Sequence, residues 1–335
     1  MKKVLALILC LVMVVGMFSA CGGGETENPE TTAATQPGEE GKYLKVLTLG
    51  HSLAVDAGFM LAKIAHTEGY ENLKIGTLYY AGCPMSKHVE FATTDAAEYD
   101  LRISSTETPN QVPEVIEPIT MKQALQYDYW DIIIMQDGVF DMALDDSYKS
   151  GNIQTLQKFV KENAKNPNVE FAWHMTWVPP VDATLRATFK QGNYYNNGYA
   201  IYQNDRATMY QAVTKCVGDN IMTDSTFKFM IPSGTVMENL LSSYLEEVDI
   251  HRDYAHASDL ARVAVSYVWY CRLAGVEKLD GLKYDVIPKQ FLNNTIIKTE
   301  DRVLTDSEKA VILEAVNNAL ANPLQMTQSQ YTTAP

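Results

Sequence analysis

Three residues lying far apart in the chain are of types that together transfer an acyl group. Ser52 follows the short apolar run Leu44 to Leu49 and is preceded by Gly50-His51. A serine in the turn between a buried strand and a helix sits where crowding demands small neighbours, hence the glycine. Free N–H groups at the helix start favour negative charge there. A hydroxyl nucleophile at this point has donors at hand for the oxyanion formed on attack. Taken alone, Gly-His-Ser is equally the pattern of a plain turn or a phosphate-binding loop. About two hundred residues later comes His251-Arg252-Asp253-Tyr254-Ala255-His256-Ala257-Ser258. With a separation of three positions in a turn, Asp253 can hold one imidazole nitrogen of His256 and fix its tautomer. The other nitrogen is left to take the serine proton. His251 is the nearest competitor but has no acid at the matching offset, and a solvated polar loop has the same composition.

The elements that must position these residues follow from hydropathy. Leu44 to Leu49, Leu73 to Tyr80, Asp131 to Met135, Val169 to Trp173 and Phe227 to Ile231 are compact apolar runs that predict strands. Helical spacing covers residues 57–66, with Asp56 as N-cap and Gly69 as stop, and then 153–164, 206–216, 258–274 and 306–321. Ser258 caps the strongest of these, whose apolar face is Leu260, Val263, Ala264, Tyr267, Val268 and Cys271, and Gly275 closes it. Continuous apolar strands separated by helices predict an α/β protein. The expected form is a three-layer α/β/α, doubly wound, mainly five-stranded parallel sheet. Ligands of such sheets bind beyond the carboxyl ends of the strands. Gly50-His51-Ser52, Gly82, Gln136-Asp137 and Trp177 all follow strands.

The N-terminus reads as an export signal. Met1-Lys2-Lys3 is basic, Val4 to Met17 is apolar and too short to span a bilayer, and Phe18-Ser19-Ala20 supplies small residues before Cys21. The placement of Cys21 resembles a bacterial lipobox, although Phe18 stands where Leu is commoner. Its lipidation would anchor the exported protein on the outer face of the cell membrane. Residues 1–20 are therefore expected to be a signal peptide and 21–42, rich in Glu, Thr, Pro and Gly, a disordered tether. Residues 43–323 are the folded domain, and 324–335 a flexible tail. Of five cysteines, Cys83, Cys216 and Cys271 remain in the folded part. A Cys83–Cys216 disulfide is open, and Cys271 reads as a buried small hydrophobe. The net charge of −14 disfavours nucleic acid as a partner. The oligomeric state is not legible.

Taken in order, these pieces resemble the SGNH/GDSL hydrolase superfamily. That family places Gly-x-Ser after the first strand, a glycine in a second block, an asparagine in a third, and Asp-x-x-His before the last helix. Here Gly50-x-Ser52, Tyr80-Ala81-Gly82-Cys83 and Asp253-x-x-His256 occupy three of the four. The stretch from Ile231-Pro232-Ser233-Gly234 to Gly275, with Met175-Thr176-Trp177 and Ile134-Met135-Gln136, is similar to a largely uncharacterised bacterial branch. The resemblance implies a flavodoxin-like fold and a catalytic triad of Ser52, Asp253 and His256. It also implies an oxyanion hole from the N–H groups of Ser52 and Gly82. The third block departs from the family, since Gln136-Asp137 stands where Gly-x-Asn-Asp is usual. A glutamine offers the same NH2 donor on an arm one methylene longer, so Gln136 is the third candidate donor. As a strand-end amide it has an equally plain structural role.

Among the other residues, Asp137 and Trp177 follow strands and are candidate substrate contacts, His51 reads as structural or as a substrate contact, and His88, after the second block, could line the cleft. His174, on a strand, reads as a core residue, and no spacing suits a metal. Asn193 to Tyr202 is dense in Tyr and Asn. It could stack on sugars, or be a surface insertion packed by its own tyrosines. The expected activity is that of an acyl or acetyl esterase needing no cofactor, acting on O-acylated carbohydrate at the cell surface. A non-catalytic ligand- or glycan-binding lipoprotein on the same fold is the alternative. A two-lobed solute-binding lipoprotein is disfavoured, because the strands suffice for one lobe.

Overall fold

A computed structural model describes residues 43–188, 202–288, 291–292, 295–296 and 301–334. The signal, the tether and most of Asn193 to Tyr202 lie outside these residues. Strand β1 (Leu44–Gly50) is central because it is apolar on both faces. It pairs in parallel with β2 (Leu73–Tyr79) on one side. Two short strands, β3 (Tyr99–Ser105) and β4 (Glu114–Ile119), extend the sheet antiparallel beyond β2. On its other side β1 pairs in parallel with β5 (Ile132–Met135), followed by β6 (Glu170–His174) and β7 (Phe227–Ile231). The order is β4-β3-β2-β1-β5-β6-β7.

The five parallel strands are those expected, and their order is the flavodoxin-like one, with its switch point between β1 and β5. The antiparallel pair β3–β4 was not expected. Alternate residues of β3 are buried and partly exposed, so it lacks the continuous apolar run that marks the parallel strands. Strand alternation divides the core in two. Val46, Ile132 and Ile134 face the layer formed with the helices Asp259–Ala274 and Asp306–Ala321. Leu47, Ile133 and Met135 face the layer formed with the helices Asn152–Asn163 and Arg206–Asn220.

The helix predicted over 57–66 is two helices, α1 (Ser52–Gly58) and α2 (Leu61–Glu68). The Ser266 hydroxyl accepts from Met60 N and donates to Ala57 O, inserting between them where the ladder breaks. α1 starts at Ser52 with His51 as its N-cap, so Asp56 is inside the helix rather than its cap. The tail after Pro323 differs from the flexible segment expected. Thr327 N–H donates to Asn239 Oδ1, Ser329 N–H to Ser242 Oγ and Gln330 N–H to Glu314 Oε1. These bonds tie it to the folded domain. Cys83, Cys216 and Cys271 are all free and buried.

Candidate functional site

The register of the sheet builds one row across its carboxyl rim. Gly50 lies opposite Tyr79. One residue beyond the Leu49–Met135 and Met135–Trp173 pairs come Gly50, Gln136 and His174 on three adjacent strands. The switch point is therefore flanked by the Gly50-His51-Ser52 turn and by Gln136. A Cβ on Gly50 would lie 2.8 Å from Ala54 Cβ and 3.2 Å from Gln136 Nε2, so this position must be glycine.

Ser52 is the first residue of α1 and is half-buried. His51 beside it is fully buried and structural. Its Nδ1 accepts from Leu53 N–H at 3.3 Å and its Nε2 donates to Asp137 O at 3.0 Å. A backbone N–H can only donate and a carbonyl only accept, so these partners fix the neutral Nε2–H tautomer. Burial pushes its pKa down to about 4, with the nearby charge of His256 adding to the effect. Leu53 N–H is thus capped by the His51 ring, while Ser52 N–H, at the first helical position, has no acceptor within the helix.

Asp253 and His256 meet as expected. His256 Nδ1 lies 2.9 Å from each carboxylate oxygen of Asp253, and Asp253 Oδ1 also accepts from the N–H groups of Ala255 and His256. Burial alone would raise the Asp253 pKa. The hydrogen bonds and the imidazole overcome that and hold it down to about 2. The carboxylate is therefore ionised and can only accept, so Nδ1 carries the proton and Nε2 is the basic nitrogen.

The loop carrying this pair is fastened to α1 by a residue whose part the sequence did not show. Asp56 is 1% exposed. Its carboxylate accepts from Ala257 N–H at 3.0 Å, from Arg252 Nη1 at 3.0 Å, and from Arg262 Nη2 at 2.6 Å and Nε at 3.0 Å. Ala257 follows His256, and Asp56 lies one helical turn after Ser52. The Asp56 contacts thus tie the loop that carries Asp253 and His256 to the helix that begins at Ser52. Trp177 Nε1 donates to Ala255 O at 2.8 Å and holds the loop from the other side.

Gly82 is exposed and has φ +62°, a conformation that favours glycine. Gln136 is fully buried. Its Oε1 pairs with His174 Nδ1 at 2.7 Å, and its Nε2 has no partner among the described residues. This amide therefore lies beneath the Gly50 turn rather than open to solvent.

The four residues expected to touch substrate do not line an open cleft. His51, His88, Asp137 and Trp177 are at most 2% exposed. His88 Nδ1 pairs with the Tyr99 hydroxyl at 2.8 Å, and the two rings stack. The Asp137 carboxylate accepts from Gly138 N–H at 2.8 Å, from Met85 N–H at 3.4 Å and from the Ser147 hydroxyl. These side chains are turned into the fold rather than toward an open cleft. Arg252, Arg262 and Asp56 were missed because each reads as an ordinary surface or capping residue until the fold brings them together. No cluster of metal-ligating side chains occurs among the described residues, and none of their helices is long and apolar enough to cross a membrane.

Comparison with known proteins places the chain. Residues 45–292 match the family DUF4886, described as a domain of unknown function. No curated protein matches. A crystal structure of a DUF4886 family protein from Bacteroides uniformis is 21% identical, with a TM-score of 0.68, over 87% of this chain and 100% of that one. A protein named provisionally as an SGNH hydrolase, from Slackia heliotrinireducens, is 14% identical, with a TM-score of 0.41, over 68% of this chain and 98% of that one. A gut microbial diltiazem-metabolizing enzyme is 12% identical, with a TM-score of 0.39, over 72% of this chain and 49% of that one.

Proposed function

The chain belongs to the DUF4886 family, and from that premise we propose that it is a serine ester hydrolase of the SGNH kind, exported and lipid-anchored through Cys21. The observation that carries this reading is the Asp56–Ala257 bond, which fastens the Asp253–His256 pair to the helix that begins at Ser52.

Ser52 Oγ attacks the ester carbonyl while His256 Nε2 takes its proton. The new Oγ–C bond leaves an oxyanion, held by the N–H groups of Ser52 and Gly82 and by the NH2 of Gln136. The C–O bond to the leaving group then breaks, and His256 returns the proton to the departing alkoxide. Water repeats the sequence on the acyl-serine, releasing the acid and restoring Ser52. Asp253, ionised throughout, holds the imidazole and offsets its positive charge. The substrate class that suits the expected cell-surface location is an O-acylated carbohydrate.

The burial of Gln136 favours one second reading, a ligand-binding protein without turnover, because its amide must reach a transition-state oxygen to contribute. One experiment separates the two. Wild type is expected to hydrolyse p-nitrophenyl acetate and to be labelled by a fluorophosphonate, and Ser52→Ala to lose both. Equal rates in the two proteins remove the nucleophile assignment, and absence of both labelling and hydrolysis in wild type favours the binding reading.

A further inference from the structure

One turn of α1 beyond the candidate nucleophile begins a cavity with no assigned role, lined from Val55 onward and not by Ser52 itself. Ser52, Val55 and Phe59 are spaced i, i+3, i+7 and share one face of the α1 segment. Val55 and Phe59 line a cavity of about 520 Å3, with Ile75 of β2 on its floor and Val112 and Val115 across from them. That volume falls within the range of roughly 300–1,000 Å3 usual for small-molecule sites. Three of its apolar side chains are open to solvent: Phe59 is 44% exposed, Val115 49% and Val112 86%. Apolar surface left open in one place marks a binding site more often than it marks nothing.

One path leads from this cavity toward Ser52. It is the stripe on α1, whose seven residues span about 10 Å at 1.5 Å per residue. Two aromatic contacts lie nearby. Arg102, which lines the cavity, lies over the Tyr79 ring at 4.1 Å. Tyr79 sits opposite Gly50 in the sheet. Tyr254 packs edge-on against His256 with ring centres 5.6 Å apart.

Resting on the hydrolase reading above, we propose that this cavity receives the acyl chain of the ester, so that the preferred substrates carry a medium-length apolar acyl group rather than acetyl. The apolar walls suit the acyl side of an ester whose alcohol is a carbohydrate, since sugar hydroxyls buried there would lose their hydrogen bonds. An acetyl group would leave most of the cavity unfilled, whereas a chain of octanoyl length can follow the stripe from Ser52 to Phe59.

Gly58 provides the test. It lines the cavity, and a Cβ there would meet no atom within 4 Å, so Gly58→Phe adds a ring without a clash at the backbone. Wild type is expected to have a kcat/KM for p-nitrophenyl octanoate at least about tenfold above that for the acetate. Gly58→Phe should lose that advantage, its kcat/KM falling much further for the octanoate than for the acetate. Val112→Asp, at an exposed position that leaves the fold intact, should act in the same direction. No chain-length preference in wild type, or equal losses on both esters in both variants, overturns the proposal. Calorimetric binding of octanoate to Ser52→Ala protein is read without turnover. Octanoate bound there and lost on adding Gly58→Phe supports the cavity even if no ester is hydrolysed, an outcome that removes only the hydrolase reading. No octanoate binding to Ser52→Ala overturns the cavity assignment by itself.

Discussion

The carboxylate of Asp56 accepts the backbone N–H of Ala257 at 3.0 Å, joining the helix that begins at Ser52 to the residue that follows His256. The same carboxylate neutralises Arg262 and is shared with the more exposed Arg252. Asp56→Ala leaves the Arg262 guanidinium, only 10% exposed, without its main partner. Removing one side of a buried pair costs about 3–5 kcal/mol. Urea unfolding should show a loss of that size. At a temperature where the variant is still folded, kcat should fall although Ser52, Asp253 and His256 are all present. Unchanged kcat would mean that the loop keeps its place without the Asp56 contact.

Trp177 tests whether a strand-end aromatic binds substrate or holds the loop. Its indole N–H donates to Ala255 O, and it is fully buried. Trp177→Phe keeps most of the ring and leaves that carbonyl unpaired, at a cost of about 1–3 kcal/mol. Thermal or urea unfolding should register this loss, kcat should drop as the loop loosens, and KM should change little. A rise in KM with unchanged stability would restore Trp177 as a substrate contact.

The parts of the molecule that could be read in the sequence share a physical cause. A parallel strand covered on both faces is apolar throughout, so β1, β5 and β7 stand out as runs. β3 alternates Asp100, Arg102 and Ser104 with buried residues and carries no such run. The pairing of Asp253 with His256 was legible because three residues in a turn keep them together. The role of Asp56 was not, because an aspartate before an apolar stretch is also the pattern of an N-cap. Its partners Arg252 and Arg262 are about two hundred residues away in the chain. His51, Asp137 and Trp177 were placed near the cleft by their position after strands, and His88 by its place after the second block. Residue type does not say which side chains at a rim turn inward, and all four do.

Gln136 and His174 form a buried pair whose geometry decides which end of the amide is free. His174 Nδ1 takes Oε1, which leaves the NH2 as the unpaired donor beneath Gly50. If that donor serves the oxyanion, Gln136→Leu should lower kcat by roughly 10²–10³-fold, the loss found when one such donor is removed, with KM nearly unchanged. Labelling of Ser52 by a fluorophosphonate should slow in parallel, because that adduct needs the same donors. A variant with wild-type kcat would assign Gln136 to the strand end alone.

Acid should unfold this protein through its buried histidines. Burial is the first cause in each case, pushing His51 down to about 4, His88 and His251 to about 3, and His174 well below its ordinary value. Unfolded histidines take up protons as pH falls below about 6.5, while these four stay neutral in the fold. Stability is therefore full above about 6.5 and is lost as pH falls through the window down to about 3. Asp137 works in the opposite sense. Burial raises its pKa to about 6 in spite of the Ser147 and backbone hydrogen bonds, so it takes up a proton in the fold before it would in the unfolded chain. Four protons against one give a net slope on the order of 4 kcal/mol per pH unit at the lower end of the window. The urea midpoint should be level above pH 7 and should collapse by about pH 5. Asp137→Asn can keep the Ser147 and backbone contacts while removing the offset, so its midpoint should fall more steeply between pH 6 and 4. A midpoint unchanged from pH 7 to 5 would show that the four imidazoles are not held neutral by their burial.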